Sequence, residues 1–205
     1  MGAVVALDAL LETRRLWRGR PAVPPPSVHP TGHAQLDAAL PTGGWPQGAL
    51  TELLLPEPGL GELSLLWPTL ARLSQAGREI VLVDPPCVPY APAWRAAGVV
   101  LERLHLLQAQ KKHALWAVEQ CLRSGACAAV LCWPRQVDDR ALRRLQVAAE
   151  SGQSLGFALR PIDAAQNPSP AALRIALDRR PRQLRVLKCR GGLAPPQPIA
   201  FPVAC

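Results

Sequence analysis

Lysine is nearly missing from this chain: Lys111, Lys112 and Lys188 are the only ones, although lysine and arginine together number 23. No run reaches the ~18 apolar residues that a membrane span needs. The opening Met1-Gly2-Ala3-Val4-Val5 is broken by Asp8 and Glu12 before a signal-peptide core forms. A cytoplasmic protein without a membrane segment is therefore expected, with residence near the nucleoid an option left open. No Cys-x-x-Cys pair occurs among Cys87, Cys121, Cys127, Cys132, Cys189 and Cys205. That argues against a zinc site and a disulfide framework and leaves mostly buried free thiols. His29 and His33 have Pro30 and Gly32 between them, so they read as loop histidines rather than metal ligands. Neither a metal nor a cofactor is expected.

What is present is a chain of 205 residues, 49% hydrophobic, enough for one domain of ordinary size. The net charge of +8 and pI near 9.8 attract anionic surfaces, nucleic acid first among them. Abundant arginine, alanine, leucine and proline also follow from a GC-rich genome, so charge alone does not establish DNA binding.

Residues 4–18 place Leu7, Leu10, Leu11, Leu16 and Trp17 among early acidic and late basic residues, the order that suits a helix dipole. An amphipathic helix is expected over residues 1–20, tethered by a proline-rich linker over 21–30 to a domain at 31–205. A helix this short must bury its apolar stripe, on its own domain or on a neighbour. Trp17 is the best anchor for a partner, while most of the six tryptophans read as core.

From Ala49 the chain alternates strands and helices. A strand at Ala49 to Leu55 is followed by a helix closed by Gly77 and a strand at Glu79 to Val83. Then come a helix from about Lys112 to Ser124, a strand from Ala128 to Trp133, a helix from Asp138 to Glu150 closed by Gly152, and a strand from Leu155 to Leu159. This predicts a mostly parallel sheet with helices on both faces. Leu173 to Leu177 and Leu184 to Lys188 flank Arg179-Arg180-Pro181-Arg182 as an antiparallel edge hairpin, and a terminal strand is expected around Ile199 to Val203.

The loop after the first strand is where a P-loop NTPase cradles phosphate with backbone amides, a lysine and a hydroxyl. Here it reads Pro56-Glu57-Pro58-Gly59-Leu60-Gly61-Glu62-Leu63. Glu62 stands at the lysine position and Leu63 at the hydroxyl position, so a cation is replaced by an anion and a metal ligand by hydrocarbon. Pro68 is expected to disturb the first turns of the following helix. The strand at Val81-Leu82-Val83-Asp84 ends without a water-activating glutamate, and Val130-Leu131-Cys132-Trp133 ends without a magnesium-binding aspartate. A degenerate nucleotide core with no catalytic residue follows, the loop residues Gly59, Gly61, Glu62 and Leu63 being remnants of a cofactor site. An ATPase with a displaced Lys111 or Lys112 is the opposing reading.

The segment Thr31-Gly32-x3-Leu36-Asp37-x-Ala39-Leu40-x2-Gly43-Gly44-x-Pro46-x-Gly48 resembles the approach to the first core strand of RecA recombinases. The resemblance continues through Tyr90 to Val99, Ala117 to Gly125, Leu173 to Arg180 and Arg185 to Arg190. The regions after Trp133 and Pro161 are too short for a recombinase's DNA-binding loops. Within the superfamily the chain most resembles the ImuA family, also described as SulA-like, notably over Leu65 to Leu70 and Ser151 to Pro161. That resemblance implies a RecA-like α/β pseudo-ATPase, an adaptor of damage-induced translesion DNA synthesis. The implied partners are an ImuB-like Y-family polymerase homologue and, further, RecA and an error-prone DnaE-type polymerase. Weak DNA contact and self-association are additional expectations. The partner-facing candidates are Leu10, Trp17, Arg179, Arg180, Arg182, Lys188 and Arg190; in RecA the positions matched by Lys188 and Arg190 reach across a protomer interface. A charge run is also what a solvated hairpin face looks like. The SulA likeness implies a different alternative, an inhibitor of the tubulin-like division protein.

Overall fold

The computed structural model describes residues 26–201 except Leu60. The expected N-terminal helix with Leu10 and Trp17, most of the linker and residues 202–205 lie outside the described residues. In chain order the elements are α1 (Ala34–Ala39), β1 (Ala49–Leu55), α2 (Glu62–Gln75), β2 (Glu79–Val83), α3 (Ala91–Ala96), β3 (Leu104–Leu107) and α4 (Lys111–Arg123). They continue with β4 (Cys127–Cys132), α5 (Asp139–Gly152), β5 (Leu155–Pro161), β6 (Leu173–Asp178), β7 (Gln183–Cys189) and β8 (Ile199–Ala200).

One sheet has the order β3-β2-β4-β5-β1-β6-β7-β8. The strands from β3 to β6 in that order are mutually parallel, joined in sequence through crossovers, whereas β7 runs antiparallel to β6 and β8 antiparallel to β7. This is a mixed α/β domain with a mostly parallel sheet. The hairpin expected at the edge is not the edge itself. β6 pairs with β1 in the interior, and β8 covers β7 at only two positions, Gln183 with Ala200 and Leu184 with Ile199. Two short helices and β3 were not anticipated. They are four to six residues long, too short for their periodicity to stand out.

The strands are apolar on both sides because both faces are covered. On one face α1, α2 and α3 bury Leu36, Leu65, Leu66, Leu70 and Trp94 against Leu53, Leu82, Leu131 and Phe157. On the other, α4 and α5 bury Val118, Leu122, Leu142, Leu145 and Ala148 against Leu50, Val81 and Val130. Trp45 is fully buried, stacked edge-on against Phe157 at 5.2 Å, and its Nε1 donates to Thr69 Oγ1 at 2.9 Å. Trp116 is 60% exposed on α4, an exception to the core expectation for tryptophan.

The residues before α1 are built into this core. Ser27 N donates to Thr42 O, and Arg72 Nη2 donates to Pro30 O at 2.9 Å, so close packing reaches back to Ser27. Gly32 lies against Pro68, where a Cβ would sit 2.4 Å from the proline ring. Pro68 itself does not interrupt α2, which runs unbroken from Glu62 to Gln75, contrary to the expected disturbance. It forgoes one backbone bond in the helix interior while the approach segment packs against its ring. At α5, Asp138 caps the N-terminus by accepting from Ala141 N at 2.7 Å. Gly152 is the last residue of that helix rather than the residue that closes it, and Gln153 takes the left-handed conformation instead. A Cβ at Gly152 would meet Leu122 O at 1.9 Å, so this glycine lets the ends of α4 and α5 touch.

Cys127, Cys132 and Cys189 are buried and Cys87 is exposed, all without disulfides. Burial pushes the Cys132 thiol up to about 12. Among the described residues no helix is long and apolar enough to cross a membrane.

Candidate functional site

The loop at 56–61 leaves the C-terminal end of β1, a central strand, and enters α2 through Gly61, whose φ of 82° is left-handed. The next side chain turns back on the loop: Glu62 Oε1 accepts from Gly59 N at 3.1 Å, and the residue is only 5% exposed. A loop amide that would otherwise face an incoming anion is thus answered by the chain's own carboxylate. Ser64 closes the turn from the other side, its Oγ donating to Gly61 O at 2.6 Å. Leu63 is half-buried against the core. At the end of β2, Asp84 Oδ1 accepts from Ala109 N at 2.8 Å, a structural bond to the chain leaving β3.

Arg179, Arg180 and Arg182, from the β6–β7 turn, converge on this loop. Arg179 pairs with Glu57 at 2.7 Å, and Arg182 lies 4.7 Å over the Phe201 ring as a cation–π contact. A Cβ on Gly61 would stand 3.3 Å from Arg182 Nη2. Together with Gly59, Leu177, Asp178 and Phe201 the three arginines line a concavity of about 310 Å³. Asp178 is committed to Arg185, at 2.8 and 3.0 Å, and that guanidinium holds its carboxyl below the usual carboxylate range. The concavity therefore presents cationic side chains on an exposed turn, which suits an acidic protein surface or a phosphate-bearing chain.

Lys188 and Arg190 are not part of this group. β7 runs antiparallel, so they lie about 20 Å from Arg182, at the opposite end of the sheet. Lys188 Nζ donates to Ser169 O at 2.7 Å, and Arg190 pairs with Glu150 at 2.9 Å. Burial, then the charges of Arg174 and Arg190, lower the Lys188 pKa. The five cations read as one basic run are two patches on opposite ends.

Sequence reasoning did not single out a buried ionic network across three adjacent strands. Glu52 on β1 is fully buried and holds Arg160 of β5 through Oε1 and Arg174 of β6 through Oε2, the latter at 2.6 Å. Arg174 also donates to Ala164 O and Asn167 O, and Arg160 to Val137 O. The available signal was a glutamate in the middle of an otherwise apolar strand. The network ties the loops at the C-terminal ends of β4 and β5 to the sheet.

These features define an eight-stranded α/β domain with a self-occupied loop at the end of β1. Residues 48–156, just over half of the chain, match the family model described as "Cell division inhibitor SulA". The chain belongs to that family. It is 31% identical over 183 residues to Protein RecA of Streptomyces avermitilis, covering 80% of this chain and 47% of that protein. It is 34% identical over 101 residues to Cell division inhibitor SulA of Edwardsiella piscicida, covering 48% of this chain and 60% of that one. The chain thus spans about half the length of the RecA proteins it matches. The crystal structure of SulA from Pseudomonas aeruginosa aligns with a TM-score of 0.46 at 32% identity, covering 54% of this chain and 97% of that one.

Proposed function

We propose that this chain is a non-catalytic adaptor of the DNA-damage response, an ImuA-like member of the RecA and SulA group acting in translesion synthesis. The carrying observation is Glu62, whose buried carboxylate occupies the amide of the loop that a nucleotide's phosphates would need. Binding of triphosphate there would have to expel a carboxylate from its own hydrogen bond and then sit beside it. At contact distance two such charges repel by roughly 1 kcal/mol in water and several times that when shielded. With the pocket closed, the arginine turn at Arg179, Arg180 and Arg182 offers a surface for recognition. An ImuB-like polymerase homologue, RecA and a DnaE-type polymerase are the partners, through acidic patches that meet this turn. Pull-down with the purified full-length protein should retain at least one of these partners and lose it when the three arginines are changed to glutamate. Calorimetry with ATP and magnesium should show no binding. Failure to retain any of the three partners overturns the adaptor reading, and a measurable ATP affinity overturns its non-catalytic part.

The family match over residues 48–156 favours a second reading, inhibition of the tubulin-like division protein. Overexpression separates the two. Filamentous cells support the inhibitor, whereas a changed damage-induced mutation frequency in normally dividing cells supports the adaptor.

A further inference from the structure

The loop at 56–61 has a second concavity on its other side, of about 320 Å³, between the start of α2, the chain from Pro85 to Tyr90 and the end of β4. Its character is opposite to that of the arginine turn. Trp67, Trp94, Trp133 and Tyr90 contribute aromatic surface, and among the described residues Glu62 is the one charged residue lining it. Glu62 is 95% buried, because its exposure is 5%, and its Oε2 makes no hydrogen bond while Oε1 is held by Gly59 N. Trp67 Nε1 is likewise buried and without a partner. Leaving such groups unsatisfied is costly, and folded proteins seldom leave two in one place. One orphaned acceptor and one orphaned donor therefore share a single aromatic-walled recess.

The chemistry of the recess narrows what can fill it. A carboxylate with one oxygen unpartnered repels anions and selects a cation. A metal ion would need several ligands, and no group of three or more His, Cys, Asp or Glu able to hold one occurs among the described residues. A flat, weakly hydrated guanidinium satisfies a carboxylate and stacks on aromatic faces better than a compact ammonium does. The indole N–H of Trp67 needs an acceptor, which a peptide carbonyl supplies. The rim continues this logic, since Val88 is 83% exposed and Tyr90 72%, an apolar surface of the kind that marks protein docking.

We propose that this groove binds an arginine-bearing extended segment of a protein partner. The guanidinium donates to Glu62 Oε2 between the tryptophan faces, the segment's backbone carbonyl accepts from Trp67 Nε1, and an apolar neighbour of the arginine rests on Val88 and Tyr90. The groove's charge is opposite to that of the arginine turn, so one loop separates two recognition surfaces of opposite sign. This assignment rests on the groove alone and does not depend on the adaptor reading above.

The test uses the full-length 15N-labelled protein and the peptide acetyl-Leu-Arg-Leu-amide, with counterparts in which citrulline or lysine replaces arginine. Trp67→Phe assigns the Trp67 indole resonance by its loss. The arginine peptide should shift that resonance saturably, and the neutral citrulline peptide should bind about tenfold or more weakly, the scale of one charge-assisted hydrogen bond. Glu62→Gln should abolish the difference between the two peptides. Tyr90→Ala, on the exposed rim, should weaken the arginine peptide several-fold while leaving the remaining spectrum in place. No movement at Trp67, equal binding of the citrulline peptide, or lysine binding as tightly as arginine each overturns the assignment, the second in favour of a purely apolar site and the third in favour of a general cation site.

Discussion

Replacing Glu52 by glutamine probes the least expected feature of the interior. Glu52 is wholly buried and compensates two guanidiniums that are themselves almost wholly buried, Arg160 and Arg174. Glutamine keeps the shape and one carbonyl acceptor but removes the negative charge, and it turns an amide donor toward one of the arginine donors. Breaking a buried ion pair by removing one partner costs about 3–5 kcal/mol, because the remaining charge is left uncompensated in a poorly solvated site. Part of the donor capacity stays satisfied, since Arg174 retains Ala164 O and Asn167 O, so about 4 kcal/mol is the expected loss. That is a large share of the roughly 5–15 kcal/mol that holds a domain together. Urea unfolding followed by tryptophan fluorescence should show the midpoint falling by about 2 M for a slope near 2 kcal/mol/M, with the slope unchanged. A companion replacing Glu52, Arg160 and Arg174 together by leucine and methionine should be more stable than Glu52→Gln, because no unpaired charge remains. A loss below about 1 kcal/mol for Glu52→Gln, or a triple variant less stable than it, refutes the account.

Gly152→Ala should cost about 3 kcal/mol or more, since its Cβ would collide with a backbone carbonyl that cannot rotate away; a melting temperature within a degree of the parent contradicts this. Asp138→Ala removes the cap of α5 and should lower stability by about 1 kcal/mol in the same urea experiment, and Asp138→Asn should restore most of it. Burial, followed by the charges of Arg72 and Arg78, lowers the His29 pKa from 6.5. The neutral ring is therefore favoured in the folded state. Its contribution to stability is complete above pH 6.5 and is lost as pH falls through the lower folded value. An NMR titration that finds His29 titrating at or above 6.5 contradicts this.

Much of the architecture was legible in the residues. β1, β2, β4 and β5 are dominated by apolar residues, Glu52 and Arg160 being the charged exceptions in their interiors, because a parallel sheet covered by helices buries both faces of its strands. The two longest crossover helices after β3 announce themselves by periodicity and by glycines near their ends. What escaped was short or paired at a distance. β3 has four residues, α1 and α3 six each, and nothing local distinguishes them from loop. Glu52, Arg160 and Arg174 become a network only through the register of β5-β1-β6, which brings together residues more than a hundred positions apart.

The sequence by itself determined the chemistry of the loop at 56–63. Glu62 and Leu63 bring a carboxylate and a hydrocarbon to that loop rather than a cation and a hydroxyl, and this holds whatever the surroundings. Tertiary structure alone decided where that glutamate points and which cations stand near it. Glu62 folds onto Gly59 because the turn at Gly61 aims it there, leaving one oxygen for the groove beside Trp67. Arg179, Arg180 and Arg182 reach the same loop, whereas Lys188 and Arg190 end at the far side of the sheet, because β7 reverses direction after the turn. Residue type sets what a side chain can do, and the direction and register of the strand that carries it set what it meets.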